Sequence, residues 1–545
     1  MRHLGPVLLP LVLACSSGGG GGSDVIADSA ADAAPETVAD APADAPAEAA
    51  APAWGTCPAD PLATKETLAG KAAYYDAIAS RLHIHPQLKW IAHVRLKEGA
   101  AEKDATWEDV ESWHTGENDG LWSGLYLASQ AFRFAVTKSP ESLANIKTLL
   151  EGEVARTRVT GVPGVFTRQY IPPAVPGIAC PADKAHYVPD VEKDDNRWVQ
   201  VREDGCVWTV DGATQEWRKS DHCGLDAYKG YCWLDNVSQD EYAGHMLALG
   251  AIWKLVDDPG VKATAADLLE QVGVHLMEND LSFVDWDGRV TEHGKMWATS
   301  FADTPGFLAV EAMDYLRMAA EASGRADLLA FYRDCLLQLG GEKKCLPQED
   351  PKPYTDWLDH MLLYVGANGC KSNYNNFSMV MANIHTLIWY ETDPAIRERV
   401  QQALDVGLMR PREANAVARR LIDQGNAWFN FIWASQKRVT AEDGPAYEAV
   451  EEGICALRQF PASKHQNAQD SMAKYAHWCD GRLDGTSETE FPIPVAEQCV
   501  ATFLWWGDPY RRETCTEDPR EVRQPCDYLL AYWMGRYYGF ISEDL

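Results

Sequence analysis

Apolar and polar positions along the chain fall into a plan that recurs five times. A polar cluster opens an apolar, aromatic-rich stretch, a turn rich in Pro, Gly or Asp follows, and a more polar amphipathic stretch closes the unit. The first copy opens at Glu117-Asn118-Asp119-Gly120, is apolar over 121–136, turns at Ser139-Pro140 and continues over 141–156. The second opens at Ser238-Gln239-Asp240-Glu241, with stretches over 242–256 and 261–277 around Asp257-Asp258-Pro259-Gly260. The third spans about 299–322 and turns at Ser323-Gly324. The fourth opens at Ser372-Asn373-Tyr374-Asn375-Asn376, is apolar over 377–390, turns at Thr392-Asp393-Pro394 and stays charged to about 406. A fifth opens near Asn426 and turns around Asp443-Gly444-Pro445.

Stretches that are apolar nearly all round predict buried helices, and amphipathic ones predict helices with one wet face. Short turns make successive helices antiparallel neighbours. The alternation therefore predicts concentric inner and outer rings. Helices over about 64–82 and 528–540 bring the tally close to six hairpins. This organisation resembles the (α/α)6 toroid of the six-hairpin glycosidase-like superfamily, which includes glucoamylases, unsaturated glucuronyl hydrolases and some polysaccharide lyases. The resemblance is architectural and covers roughly residues 60–545. It implies a mainly α fold and carbohydrate chemistry, with no family-specific catalytic signature.

Two inserts break the rhythm. Residues 162–237 carry Gly, Pro and four cysteines, with too little periodicity for a helical pair. Val284-Asp285-Trp286-Asp287-Gly288-Arg289-Val290 reads as a short hairpin with Asp-Gly at its turn. Asp285 and Asp287 suit calcium ligation in kind, but the full calcium-loop pattern is absent, so a plain turn is the expectation. Strand is expected only in such short hairpins.

The first 53 residues are of another kind. Residues 1–15 read as a basic start, a short apolar run and Ala14-Cys15, a secretory signal too short to span a bilayer. The placement of Cys15 resembles a bacterial lipobox, which implies acylation there and a membrane contact through that lipid alone. Ser16 after it resembles the sorting signal for outer-membrane residence in a bacterial envelope. Residues 16–53 are a run of five glycines and then an Ala/Pro/acid segment, with Asp24, Asp28, Asp32, Glu36, Asp40, Asp44 and Glu48. Pro35, Pro42, Pro46 and Pro52 break any helix, and almost nothing can be buried, so a disordered tether is expected. Residues 54–545 are read as one domain.

Charge narrows the partners. The net charge of −31 argues against nucleic acid and against electrostatic membrane binding. Twenty Trp and 21 Tyr suit a large core and also suit sugar-binding clefts. Fourteen cysteines without a Cys-x-x-Cys pair argue against zinc ribbons and thioredoxin-like sites. Several are close neighbours in sequence, Cys180 and Cys206, Cys223 and Cys232, Cys335 and Cys345, Cys479 and Cys499, Cys515 and Cys526, and in an exported chain they predict local disulfides that clip loops, whose connectivity the sequence leaves open. The thirteen left after Cys15 leave at least one thiol free. No cofactor and no metal site is expected, and the chain is read as a monomer.

If every inner helix runs the same way, the opening polar clusters share one rim. Glycoside hydrolysis needs two carboxyl groups flanking the scissile bond. Asp119 and Asp240, on separate hairpins, are the candidates, with Glu241 and His245, four residues on, supporting Asp240. Ser238 to Glu241 also reads as a capping box that would occupy Glu241, and Asn118 as an ordinary N-cap, whereas Asp240 has no evident capping duty. Glu117, Trp122, Arg168, Asn375, Asn376 and Trp428 are substrate-binding candidates, with Trp433 and Asn426 at the same rim. His293 and Tyr374 matter if the reaction is elimination. Three readings stand: a glycoside hydrolase first, then a polysaccharide lyase, which an acidic cleft disfavours, or a non-catalytic binding lipoprotein. A serine hydrolase and a phosphate-binding enzyme are disfavoured, since their glycine motifs are missing.

Overall fold

The computed structural model describes residues 60–114, 116, 118–188, 196–300, 305–341, 346, 352–361, 374–405, 424–437, 444–480, 487–500, 503–543 and 545. Cys15, the tether and Glu117 lie outside the described residues.

In chain order the helices are α1 (Leu68–Ile78), α2 (Asp119–Thr137), α3 (Pro140–Arg158), α4 (Gln239–Leu255), α5 (Pro259–Glu278), α6 (Pro305–Ser323) and α7 (Ala326–Phe331). They continue with α8 (Tyr374–Tyr390), α9 (Pro394–Leu404), α10 (Ala427–Ser435), α11 (Gly444–Gln459), the single turn α12 (Ser471–Lys474) and α13 (Cys526–Tyr537). Helices α2, α4, α6, α8, α10 and α13 pack each on the next, and α13 closes back on α2. Each has an outer companion: α3, α5, α7, α9 and α11 follow their inner helices, and α1 packs on α13. The fold is mainly α, an (α/α)6 toroid.

The two rings differ in burial as their sequences require. Helix α4 is buried almost all round from Gln239 to Ile252, and α8 from Phe377 to Ile388. Helix α9 buries only Val400, Ala403 and Leu404. Three hairpin turns use one device, a polar cap followed by Pro in the first turn. Ser139 accepts from Ser142 N–H before Pro140, Asp258 from Gly260 and Val261 before Pro259, and Asp393 from Ala395 and Ile396 before Pro394. The cap satisfies free N–H groups and Pro has no N–H to lose there, so each outer helix starts at a fixed residue.

Strand is more extensive than the alternation showed. The 162–237 insert holds a five-stranded antiparallel sheet of β3 (Gln169–Ile171), β4 (Trp198–Val201), β5 (Cys206–Val210), β6 (Trp217–Cys223) and β7 (Cys232–Leu234), in the order β3-β7-β4-β5-β6. A second sheet joins β1 (Val94–Leu96) and β2 (Val110–Trp113) to a strand at Asp518–Val522 and another at His465–Gln466. These strands are short, and β6 reads Trp-Arg-Lys-Ser-Asp-His-Cys, so period-two patterning is faint in the sequence. The expected hairpin is present as β8 (Ser282–Val284) and β9 (Val290–Lys295), with Gly288 at φ 83° in its turn.

Three described disulfides join cysteines 16 to 52 residues apart, and Cys345 lies outside the described residues. Cys206 bonds Cys223, Cys180 bonds Cys232, and Cys499 bonds Cys515. The β-sheet explains the first two: β5 pairs with β6, which sets Cys206 opposite Cys223, and Cys180 reaches β7 from the preceding loop. Cys335 and Cys455 are disulfide-bonded as well, and Cys526 is free and buried.

Candidate functional site

Helices α2 and α4 meet through glycine. A Cβ on Gly124 would lie 2.3 Å from the Gly244 backbone, and one on Gly244 would lie 2.6 Å from the Leu121 backbone. A Cβ on Gly120 would lie 1.9 Å from Glu241 Oε2 and 2.6 Å from His245 Nε2. These glycines let two inner helices touch backbone to backbone, which brings their first turns, with Asp119 on one and Asp240 and Glu241 on the other, to the same rim.

Asp119 is the first residue of α2 and 3% exposed, and its Oδ2 accepts from Gly116 N–H at 2.9 Å. Burial pushes its carboxyl well above the usual range, and the Arg156 guanidinium pulls the other way. Asp240 is half-buried and accepts a hydrogen bond from Ser238 Oγ. Its carboxyl is also raised, by burial first, with Arg168 opposing. Glu241 is fully buried, and its Oε2 accepts from Leu121 N–H of α2 at 3.1 Å. Burial raises it well above the usual range; Arg156 and Arg168 oppose, and the charges of Asp240 and Asp119 add to the rise.

The capping box is therefore overturned. Ser238 occupies the N-cap position without a side-chain capping bond, and its hydroxyl turns to Asp240. Glu241 crosses to the neighbouring helix instead, because Gly120 leaves room for it. Asp240 consequently has a local partner that the sequence reading did not give it. Asn118 likewise makes no side-chain cap; its Oδ1 accepts from Arg168 Nη1 at 3.0 Å. Asn426 does cap, accepting from Phe429 N–H at 3.1 Å.

His245 is fully buried. Its Nε2 is 3.7 Å from Glu241 Oε2 and its Nδ1 is 2.5 Å from Glu153 Oε2 of α3, the latter contact not aligned as a hydrogen bond. The ring stacks on Phe166 at 4.3 Å. Arg168 is buried and donates from Nε to Asn236 O at 2.9 Å, so it ties the two rim loops together. Arg156, fully buried on α3, donates to the carbonyls of Thr167 and Arg168 and lies 4.0 Å over the Trp90 ring.

Trp122, Asn375 and Trp428 meet in one crevice at the ring axis, where Leu121, Ala243 and Trp506 also line the wall. Trp122 pairs with Trp506 at 4.6 Å between ring centres, and Trp428 is 1% exposed. Asn376 is half-buried in the first turn of α8. Trp433 is set apart, donating from Nε1 to Asp405 at 2.7 Å. Asp285 accepts from Asn236 N–H and Trp286 N–H, and Asp287 pairs with Arg197 and with Arg289. Among the described residues no cluster suits a metal ion, and no helix is long and apolar enough to cross a membrane.

Sequence reasoning missed Glu153, Arg156, Asn236 and Trp506. None sits in an opening cluster, so periodicity gave no cue. Gly120 and Gly124, four apart on one helix face, were the legible sign of close approach.

Fold and rim together define the class: an (α/α)6 helical toroid with three carboxyl groups at the adjoining ends of two inner helices. No family model and no curated protein matches the chain. Among solved structures it is similar to an inactive variant of an α-1,6-mannanase, GH76A of Salegentibacter sp. HEL1_6, in complex with α-1,6-mannotriose, at 11% identity and a TM-score of 0.37, covering 87% of this chain and 99% of that one. It is also similar to a metagenome-derived glycoside hydrolase family 9 endoglucanase, at 12% identity and a TM-score of 0.37, covering 87% and 81%. A third is the endoglucanase CelQ from Clostridium thermocellum complexed with cellotriose, at 12% identity and a TM-score of 0.39, covering 86% and 70%. The (α/α)6 assignment rests on the closed ring of helices, and the site on this chain's own residues.

Proposed function

We propose that the chain is a glycoside hydrolase acting on a poly- or oligosaccharide, with Asp119 and Asp240 as its acid–base pair. One observation carries this reading. Trp122 lies three residues after Asp119 and Ala243 three after Asp240, so each acid stands one turn above a residue that lines the axial crevice. The two acids thus stand in the first turns of neighbouring helices, each one turn from a side chain of that crevice. A carboxyl group raised by burial keeps its proton to higher pH than a free one and suits the general acid, which protonates the glycosidic oxygen as its C–O bond breaks. The second carboxylate, as base, takes a proton from the water whose oxygen bonds to the anomeric carbon. Glu241 holds the α2 terminus in place, and His245 and Glu153 back it.

Elimination fits less well. The Arg168 guanidinium is engaged with Asn118 and Asn236, Tyr374 is buried, and His293 lies on the β9 hairpin 3.5 Å from Glu292. The disulfides support export, and with the Cys15 lipobox resemblance they support an outer-membrane lipoprotein. The direct test is to incubate the protein with a panel of polysaccharides and record both new reducing ends and ultraviolet absorbance. Reducing ends without absorbance support hydrolysis; an unsaturated product would replace it with a lyase. Cys15→Ser should release the protein from the membrane fraction, and retention there would place the anchor elsewhere.

A further inference from the structure

A row of basic side chains crosses the second sheet beside α2. Val94 of β1 pairs with Trp113 of β2 and with Val522, and His465 pairs with Val522 in turn. Val94, Trp113 and Val522 bury together in one apolar cluster. Side chains alternate along a strand, so the next residue out on each strand falls on the opposite face. Those residues are His93, His114, Arg523 and Lys464. The main chain fixes their order. His114 N–H donates to His93 O at 3.0 Å, and Arg523 N–H donates to Lys464 O at 2.9 Å. The rings of His93 and His114 lie 4.1 Å apart, centre to centre.

The members of the row are in different states. Lys464 is fully buried and held by Asp527 at 2.8 Å. Arg523 is half-buried, and its guanidinium makes no ion pair and no hydrogen bond among the described residues. Glu521, two residues back on the same strand, is taken by Arg95 Nη1 at 2.5 Å. Of the Arg523 guanidinium only Nε is enclosed, so both Nη groups open to solvent. Burial pushes the His93 ring down to about 2 and the Arg523 charge adds to the fall, so the ring stays neutral and keeps one N–H to donate. His114 is exposed. In a chain with 80 acidic and 49 basic residues, an arginine left without a carboxylate is an exception. A guanidinium with both Nη groups open binds two oxygens of an oxyanion at once, and an imidazole beside it can donate to a third.

Position ties the row to the acids. Arg523 stands three residues before Cys526, the first residue of α13, and α13 packs on α2. His114 stands two residues before Gly116, whose N–H donates to Asp119. The row therefore flanks the start of α2 on its α13 side, and α4 with Asp240 flanks it on the other. Burial raises Asp119, Asp240 and Glu241, so these acids oppose an incoming anion less than free carboxylates would.

We propose that Arg523, with His93 and His114 beside it, binds an acidic substituent of the glycan: a uronate carboxylate, a sulfate or a phosphate ester. The glycosidic bond next to that substituent lies at Asp119 and Asp240. The place of the scissile bond rests on the hydrolase reading above; the preference for an acidic glycan does not.

The test is calorimetric titration of the full chain carrying Asp240→Asn, so that no ligand is consumed. Three matched pairs of ligands are compared. They are oligogalacturonates and their methyl esters, sulfated galacto-oligosaccharides and their desulfated forms, and phosphorylated manno-oligosaccharides and their dephosphorylated forms. At least one acidic member should bind about tenfold more tightly than its neutral twin, and the pair that does so identifies the anion. Arg523→Gln should abolish that preference and leave the neutral twin unchanged. Arg523→Lys should keep part of it, since lysine retains the charge without the two-pronged contact. His114→Glu changes an exposed side chain and should weaken the acidic member alone through like charge, which serves if Arg523→Gln fails to fold. No preference in any pair, or a preference that survives both Arg523→Gln and His114→Glu, overturns the proposal. The two readings fail separately. Hydrolysis by the unsubstituted chain with no Arg523-dependent preference sinks this inference alone. Arg523-dependent binding without cleavage, or with an unsaturated product, sinks the hydrolase alone.

Discussion

Neighbouring inner helices treat a carboxylate in their first turn in opposite ways. On α13, Asp527 is fully buried and fully answered. Lys464 Nζ lies 3.1 and 2.8 Å from its two oxygens, Tyr528 N–H donates to one at 2.8 Å, and Leu504 N–H donates to the other at 3.2 Å. On the α2–α4 side, Asp119 accepts from Gly116 N–H, Glu241 Oε2 accepts from Leu121 N–H, and among the described residues Glu241 Oε1 has no hydrogen-bond partner. Among the described residues no lysine stands beside them, and the Arg156 guanidinium, which acts on both, donates to the carbonyls of Thr167 and Arg168. A carboxylate with a buried ammonium and several donors is committed to structure. Acids raised by burial and left short of donors still have a proton to give.

The largest expected effect breaks the comparison on the reactive side. Asp119→Asn and Asp240→Asn should each lower turnover by about 10²–10⁴-fold, the range for loss of a general acid or base. Neither should move the denaturant midpoint much, because neither side chain is part of a satisfied network as Asp527 is. Full activity in either variant would end its catalytic assignment.

On the structural side, Lys464→Met should destabilise the protein by about 3–5 kcal/mol in urea unfolding, since it leaves the Asp527 charge buried without its partner. Activity per folded molecule should persist, as Lys464 lies on the structural side of the contrast. Loss of activity without loss of stability would mean the two rim segments are not separable.

A third carboxylate tests whether burial alone governs the acids. Asp76 of α1 accepts from Gln130 Nε2 at 2.8 Å and Trp533 Nε1 at 3.0 Å, yet burial lifts it to about 6. A carboxyl raised in the folded state contributes stability that is complete below its unfolded pKa of about 3.9 and is lost as pH rises through about 6. Buried His83, lowered to about 4 by desolvation, acts oppositely over about pH 4–6.5, so the readable quantity is a difference. The penalty of Asp76→Asn relative to the parent should shrink between about pH 4 and 6 by on the order of 2–3 kcal/mol. A constant penalty across urea titrations in that window would show that Asp76 is not raised.

These contrasts mark where sequence patterning could and could not see. The ring was legible because an inner helix is apolar on every face and its outer companion is not, and because Ser139, Asp258 and Asp393 punctuate the turns with a following Pro. Asp119 and Asp240 were legible as residues that open inner helices. The roles of their neighbours were not. Ser238 and Glu241 have the spacing of a capping box, and only the glycine-lined approach of α2 diverts Glu241 across the gap. Arg156 and Glu153 reach the site from an outer helix, so their part depends on packing between segments far apart in sequence. The sheet between α3 and α4 was hidden because its strands are three to seven residues long and its pairing order is not sequential.

The smallest expected effect is the sharpest discriminator between the two sides of the rim. If burial keeps Glu241 protonated near neutral pH, the neutral Glu241→Gln is close to an isostere of the form already present. Its amide oxygen can still accept from Leu121 N–H, and no buried charge is created or removed. Unfolding free energy at pH 7 should therefore stay within about 1 kcal/mol of the parent, the scale of a single uncharged hydrogen bond. The corresponding change on α13, Asp527→Asn, removes one charge of a buried pair and should cost about 3–5 kcal/mol. Activity in Glu241→Gln should survive to within about tenfold, because the side chain positions α2 without touching substrate. A loss at Glu241 as large as that at Asp527 would show an ionised Glu241, and would move it from the group that braces the rim to one that must be neutralised there.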